Sequence, residues 1–304
     1  MRKRPQLIVV TGPTASGKSS LAVDIASTIG CEIISADSRQ IYKGIPIATA
    51  APTREQLSAV RHHLVGTLPL DAYYSASCFA ADAEALLPEL FDRGGGRAVV
   101  CGGSMMYIDA LTHGLDDLPT VSDSVRTQVL QLYNAGGMDA IRSELNRLDP
   151  DYMERVDLCN PRRIIHAIEI SLMAGKPYSS LIGQRDSADP GYDIVRLTIG
   201  WPRDELFARI AQRTAGMMNA GLMQEAQSVA HLCGLNSLNT VGIKEAFACI
   251  DGVMTPEEAE SKIARNTRVY AKKQLTWMRR YTDLVTLDPS VPLLPQSLAA
   301  VNGF

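Results

Sequence analysis

Residues 12–19 read Gly-Pro-Thr-Ala-Ser-Gly-Lys-Ser and follow the apolar run Leu-Ile-Val-Val at 7–10. Glycines, a lysine and a hydroxyl at this spacing, after a strand and before a helix, suit the holding of a di- or triphosphate. Gly12 and Gly17 let the backbone turn until several N–H groups converge on an anion. Lys18 adds a fixed positive charge, and the Ser19 hydroxyl can ligate a Mg²⁺ that rides on the phosphates. A helix over 19–29 points its positive end at the same place. Pro13, Thr14, Ala15 and Ser16 complete the loop. The loop alone leaves open what carries the phosphate, because many reactions use it.

Other residues offer chemistry of their own. Asp37 follows the run Glu-Ile-Ile-Ser-Ala at 32–36. A carboxylate at a strand end beside a phosphate loop can hold Mg²⁺, act as a general base, or cap the next turn. Arg209 and Arg213 are four apart and share a face of a long amphipathic helix. A guanidinium there can neutralise a leaving group, or pair with Glu205 or Glu225. Between 262 and 280 the chain carries cations and no acid. Lys262, Arg265, Arg268 and Lys272, spaced three, three and four, form one helical face suited to a polyanion. Ile263, Val269, Tyr270 and Trp277 are expected on its buried side. Arg162-Arg163 opens another helix. His62-His63 point to different sides and lack a third ligand, which makes a poor metal site. The cysteines, at 31, 78, 101, 159, 233 and 249, form no CxxC and read as small buried residues.

These groups need a frame. The chain has 304 residues, is 46% hydrophobic and carries a net charge of −3. No apolar run is long enough for a membrane span or a signal peptide, so a cytoplasmic protein, expected to be a monomer, is implied. Strands are expected at 7–10, 32–36 and 97–101, each running into small or polar residues, with helices such as 80–90 between them. This alternation predicts an α/β fold: a P-loop NTPase-like parallel sheet flanked by helices, with ligands beyond the carboxyl ends of its strands. Residues 12–19, Asp37 and Gly102-Gly103-Ser104 should converge there. Residues 121–188 read instead as a small all-helical insertion domain, with periods at 125–133, 138–148 and 161–173 punctuated by Gly136-Gly137 and Asp149-Pro150. The core, 1–120 and 189–304, resumes with a strand at 193–199, helices over 204–232 and 255–281, and a strand at 284–287. The tail after Asp288, with Pro289, Pro292 and Pro295, is expected to start loosely ordered.

Together these segments resemble the bacterial tRNA dimethylallyltransferase family. The resemblance rests on 12–19, on Ser-Ala-Asp-Ser-Arg-Gln-Ile-Tyr-Lys-Gly at 35–44, His62-His63-Leu64, Tyr74-Ser75 with Phe79, and Gly102-Gly103-Ser104 with Tyr107. It continues through Leu118-Pro119 with Arg126, Asn160-Pro161-Arg162-Arg163, 209–213, Asn266-Thr267-Arg268, and 270–279. It implies that residues 12–19 hold the diphosphate of dimethylallyl diphosphate, with Mg²⁺ on Ser19, rather than ATP. Asp37 would take a proton from N6 of an adenine, with Ser104 bonding near the base or Asp37. Lys18 and Arg213 would stabilise the leaving diphosphate. The tRNA anticodon stem-loop would meet Asp37, Ser38, Arg39, Gln40, Ser104, Arg126, Arg162, Arg163, His166, Arg268 and Lys272, gripped by the insertion. Ala51, Gly66, His166 and Ile243 depart from the lysine, aspartate, arginine and tyrosine usual there; Ile243 is expected to weaken packing or stacking. Two alternatives stay open: a tRNA-binding relative without transfer, and a P-loop small-molecule kinase.

Overall fold

Among the described residues six strands form one sheet: β1 (Gln6–Thr11), β2 (Ile33–Ser35), β3 (His62–His63), β4 (Arg97–Gly102), β5 (Asp193–Ile199) and β6 (Leu284–Leu287). Their order is β3-β2-β4-β1-β5-β6 and every pairing is parallel. The computed structural model describes residues 4–116, 118–183 and 189–303. The end of the expected insertion, 184–188, lies outside the described residues. Contacts divide the chain into two units, Met1–His113 with Asp189–Phe304, and Gly114–Ala188.

The sheet of the first unit is buried on both faces, as a parallel sheet between helices must be. Alternation along β1 sorts its side chains. Ile8 and Val10 join Leu21, Ile25 and Leu197 on one face, while Leu7 and Val9 join Phe79, Ala83 and Leu87 on the other. Because β1 lies between β4 and β5, and β2 beside β4, the loops after β1, β2 and β4 leave the sheet side by side. A third apolar cluster, with Ile41, Ile45, Leu222 and Ile243, ties the short helix Pro46–Thr49 to the helices Leu222–Val229 and Ile243–Ile250.

The tail differs from the expectation of loose order. A helix, Leu293–Asn302, begins directly after Pro292, and Pro295 falls in its first turn. First-turn N–H groups have no intrahelical acceptor, so proline there removes no bond. The helix buries Val301 in the same cluster as Leu21 and Ile25, and the Val301 carbonyl accepts a 2.9 Å bond from Gln6 Nε2. The expected helix over 204–232 stops at Asn219; Gly221, at φ 99°, turns the chain before Leu222–Val229.

The second unit packs the helices Asp123–Leu148 and Pro161–Ala174 around Val129, Ile141, Leu145, Ile164 and Ile168. Gly137, with φ 61° and ψ −149°, breaks the first of these in two. Asp149 is fully buried; it accepts from the Tyr152 N–H at 2.9 Å, the Ser179 N–H at 2.6 Å and Ser179 Oγ at 2.7 Å.

The C-terminal helix should be an integral part of the core. Val301→Ala should lower stability by about 2 kcal/mol, read as a lower urea midpoint with an unchanged slope. An unchanged midpoint would mean that this helix contributes nothing.

Candidate functional site

The phosphate loop is held by its carbonyls. Trp201 Nε1 donates to the Ser16 oxygen at 2.7 Å, and Arg209 Nε donates to the Ala15 oxygen at 2.9 Å. The Arg209 guanidinium lies 4.3 Å from the centre of the Trp201 ring, so the two clamps brace each other. Lys18 Nζ folds back to the Pro13 oxygen at 3.4 Å. Ala15, at φ 64°, takes a left-handed conformation that a residue with a Cβ rarely adopts. With the carbonyls tied outward, the amides of Ala15, Gly17, Lys18 and Ser19 keep no hydrogen-bond partner among the described residues. They are a preformed nest for an anion at the start of the helix Lys18–Ile29. The Thr14 amide is not part of it, because it donates to Gln274 Oε1 at 3.0 Å. Ser16 is buried and lies below the nest.

Asp37 and Ser104 stand at the ends of β2 and β4, against this nest. Asp37 Oδ1 accepts from the amides of Arg39 at 2.9 Å and Gln40 at 3.4 Å, so one oxygen caps the turn. Its other oxygen carries no bond within the protein among the described residues. Ser104 Oγ accepts from the Ser38 amide at 2.8 Å, which fixes the residue after Asp37. Arg213 enters from the helix Arg203–Asn219. Its guanidinium makes no hydrogen bond or ion pair among the described residues; Glu225, one of its candidate partners, instead accepts from the Ile47 and Ala48 amides, both at 2.8 Å. Burial lowers the Arg213 pKa, opposed by the nearby Asp37 charge. Burial likewise lowers that of Lys18, with Arg213 lowering it further and Asp37 opposing. Half-buried Lys18, Arg213 and Asp37 therefore line a cavity of about 300 Å³, together with Arg39, Lys244, Thr14, Ser104 and Gln274. Ile210, Met217 and Ile263 make an apolar part of its lining, beside Thr240 and Lys244. An anion seated on the nest would relieve the strain of burying those cations.

Not every expected contact turns outward. Gln40 spends its amide inside the protein: Oε1 accepts from Ser35 Oγ at 3.0 Å, and Nε2 donates to the Thr49 and Ala50 oxygens at 3.2 and 3.1 Å. Arg39 is tied by Nη1 to the Asn236 oxygen at 2.7 Å. On the helix Pro256–Met278 the buried row is Ala259, Ile263, Ala271, Gln274 and Met278. Val269, expected on that side, is 45% exposed, because the row at 259, 263, 271, 274 and 278 leaves it on the other face. Arg268 and Lys272 sit 5.8 and 5.6 Å from the centre of the Phe207 ring, with no carboxylate partner among the described residues. Lys262 and Arg265 instead share a groove with Glu257 and Glu258, so the positive face is shorter than the spacing implied. In the second unit Arg126, Arg162, Arg163 and His166 are exposed. Ser122 bonds Met173, and Arg142 bonds the Leu158 oxygen, so the two long helices run antiparallel. Arg126 thus lies at one end of Pro161–Ala174 and Arg162-Arg163 at the other. Two arginines at a helix N-terminus oppose its dipole, a cost that suits an anionic partner.

Two departures from the usual pattern are accommodated. Ile243 is fully buried among Ile41, Ile45 and Leu238, so packing is kept at that position, contrary to the expected weakening. Gly66 has φ 57°, and its amide donates to the Gln40 oxygen at 2.7 Å, a turn that glycine makes easily. Sequence reasoning missed the clamping role of Trp201 and the bridging role of Gln274. The signal for Gln274 was there: one amide in the otherwise apolar row Ala271, Gln274, Met278.

The comparisons with known proteins follow this geometry. A family model described as IPP transferase matches residues 40–281. The chain is 46% identical over 283 residues to tRNA dimethylallyltransferase 1 of Phocaeicola vulgatus, covering 93% of this chain and 94% of that protein. It is 45% identical over 285 residues to tRNA dimethylallyltransferase 1 of Bacteroides thetaiotaomicron, covering 94% and 92%. Among solved structures, the tRNA isopentenylpyrophosphate transferase of Bacillus halodurans is 30% identical with a TM-score of 0.71, over 99% of this chain and 95% of that one. A eukaryotic dimethylallyltransferase acting on tRNA shares the fold, with a TM-score of 0.82 at 22% identity, over 98% and 79% of the two chains.

Cys101, at the end of β4, is pushed up to about 11 by burial, opposed by Lys18, and so stays a thiol at neutral pH. Iodoacetamide at pH 8 should label the exposed Cys159 and Cys233 well before Cys101, as mapped by peptide mass analysis. Equal labelling of Cys101 would show that the strand end beside the nest opens readily.

Proposed function

The chain belongs to the IPP transferase family, and we propose that it transfers a dimethylallyl group from dimethylallyl diphosphate to N6 of the adenine beside the anticodon in tRNAs that read codons beginning with U. The observation that carries this reading is a pair of openings that share Lys18 and Arg213: Ala15, Gly17 and Ser19, whose amides have no partner among the described residues, line one, and Asp37 lines the other. The diphosphate would lie on the amides of Ala15, Gly17, Lys18 and Ser19, with Lys18 and Arg213 on its oxygens. The apolar wall of Ile210, Met217 and Ile263 suits the prenyl chain. N6 attacks the allylic carbon, the carbon–oxygen bond to diphosphate breaks with its electron pair leaving on oxygen, and Asp37 takes the N6 proton. The adenine must leave its stack to reach this depth. N6 is a poor nucleophile because its lone pair is delocalised, so a positioned base is worth roughly 10²–10⁴ in rate.

The residues present suit Mg²⁺. The Ser19 hydroxyl, a hard oxygen donor, lines the same opening as Lys18 and Arg213, while the neighbouring Cys101 is held as a thiol. When bound with the diphosphate, Mg²⁺ would neutralise charge on the leaving group. Arg268 and Lys272 would meet RNA phosphates on the first unit. The second unit, taken by itself, would grip the anticodon stem-loop through Arg126, Arg162, Arg163 and His166.

Mass analysis of tRNA nucleosides after incubation with the purified protein and dimethylallyl diphosphate tests donor and acceptor together. N6-isopentenyladenosine is expected; unmodified adenosine would end this reading. Asp37→Ala should abolish transfer, by roughly 10²–10⁴-fold or more, while tRNA affinity stays within a few fold. Retained transfer would remove Asp37 from the chemistry. Replacing Arg268 and Lys272 with alanine should weaken tRNA binding and flatten the slope of log affinity against log salt by about one to two. An unchanged slope would turn this helix away from RNA.

A further inference from the structure

We propose that Gln274 is a positioning residue that locks the anion nest to the Asp37–Ser104 corner, an inference that rests on the transfer reading above. Gln274 is 2% exposed and projects from the middle of the helix Pro256–Met278. Its single carboxamide is used twice. Oε1 accepts from the Thr14 amide at 3.0 Å, at the mouth of the phosphate loop. Nε2 donates to the Gly103 oxygen at 2.8 Å, one residue before Ser104. Ser104 Oγ in turn holds the Ser38 amide at 2.8 Å, and Ser38 follows Asp37. An unbroken path of bonds thus runs from the loop that seats the leaving group to the carboxylate that takes the proton. The residue type is constrained. At neutral pH a carboxamide offers an acceptor and a donor on one planar fork where an ionised carboxylate only accepts, and asparagine is a methylene too short for a fork already at bonding distance on both sides.

Gly103 is built around this amide. A Cβ there would stand 2.4 Å from Gln274 Nε2, against 3.3 Å from the Gly12 oxygen and 3.6 Å from Lys18 Cε. The close atom is the tip of a flexible side chain, so an alanine at 103 would displace the Gln274 amide before it disturbed the backbone. Tyr270 adds a longer bond, 3.4 Å, from its hydroxyl to the same Gly103 oxygen. Losing Gln274 therefore leaves the Gly103 oxygen one partner but leaves the Thr14 amide with none. The loop and the corner would each survive, free to drift apart. A displacement of an ångström between leaving group and base is enough to lower turnover by about two orders of magnitude.

The test compares Gln274→Met, Gly103→Ala and the double variant with the full-length wild type. Steady-state transfer from dimethylallyl diphosphate to tRNA is measured alongside single-turnover rates and thermal melts. Gln274→Met fills the same space without either bond. It should lower kcat by roughly 10- to 100-fold, also in a single turnover, with KM for tRNA within about threefold. Gly103→Ala should do the same. The double variant should be no slower than the slower single variant, because both changes break the same bridge. A Gln274→Met kcat within twofold of wild type, losses that multiply in the double variant, or a raised KM at unchanged kcat would each overturn the proposal. If Gln274→Met does not fold, Gly103→Ala breaks the bond from outside the helix, and its kcat alone decides. A wild type that modifies no tRNA would instead sink the transfer reading.

Discussion

A methyl group added at Gly102 would lie 2.1 Å from the Ala36 oxygen, and that closeness governs the rest of the molecule. The chain leaving β4 must pass directly under the chain leaving β2, so that Ser104 can reach Ser38 and Gly103 can reach Gln274. Two glycines in a row permit it: one for the backbone above, one for the amide beside it. With β1 next to β4, the phosphate loop joins the same corner. The site is therefore a meeting of three turns at one end of a parallel sheet, and each turn is held by hydrogen bonds from outside the reacting space.

Charge is left unbalanced at this corner. Most buried cations in folded chains find a carboxylate. Arg196 does so here, pairing with Asp283 while lying over the Tyr281 ring. Arg213 makes no ion pair among the described residues, although burial lowers its pKa against the opposing charge of Asp37. Glu225, one of the acids that could have neutralised it, instead caps the helix Pro46–Thr49. Gathering cations at this corner without an ion-pair partner among the described residues carries a cost. It becomes favourable when an anion arrives, most of all as negative charge grows on a departing oxygen.

The helical layer over the sheet serves two purposes. The helix Arg203–Asn219 turns Arg209 down to hold the loop and Arg213 inward to the cavity, one helical turn apart. The long helix Pro256–Met278 buries Gln274 while setting Arg268 and Lys272 against Phe207 on its other side. Structural bracing and ligand-facing groups thus share the same two helices, which explains why their sequence carries mixed signals.

Much of the fold was legible because it rests on local periodicity. Runs such as Leu-Ile-Val-Val before a glycine-rich turn specify a buried parallel strand, and the loop, lysine and serine that follow specify an anion nest whatever else the chain does. The proline-rich tail misled, since Pro292 stands just before a helix and Pro295 in its first turn, where proline costs nothing. So did the basic face, since the acids beside Lys262 come from one turn earlier. What spacing could not supply were pairings between distant residues: Gln274 with Thr14 and Gly103, Trp201 with Ser16, and Arg213 near Asp37 without an ion pair among the described residues. The chain by itself determined which residues can bind an anion or move a proton, because these are properties of side chains and short turns. Only the packed sheet and its helices decided which of them meet, because that depends on strand order and on which acids are already spent.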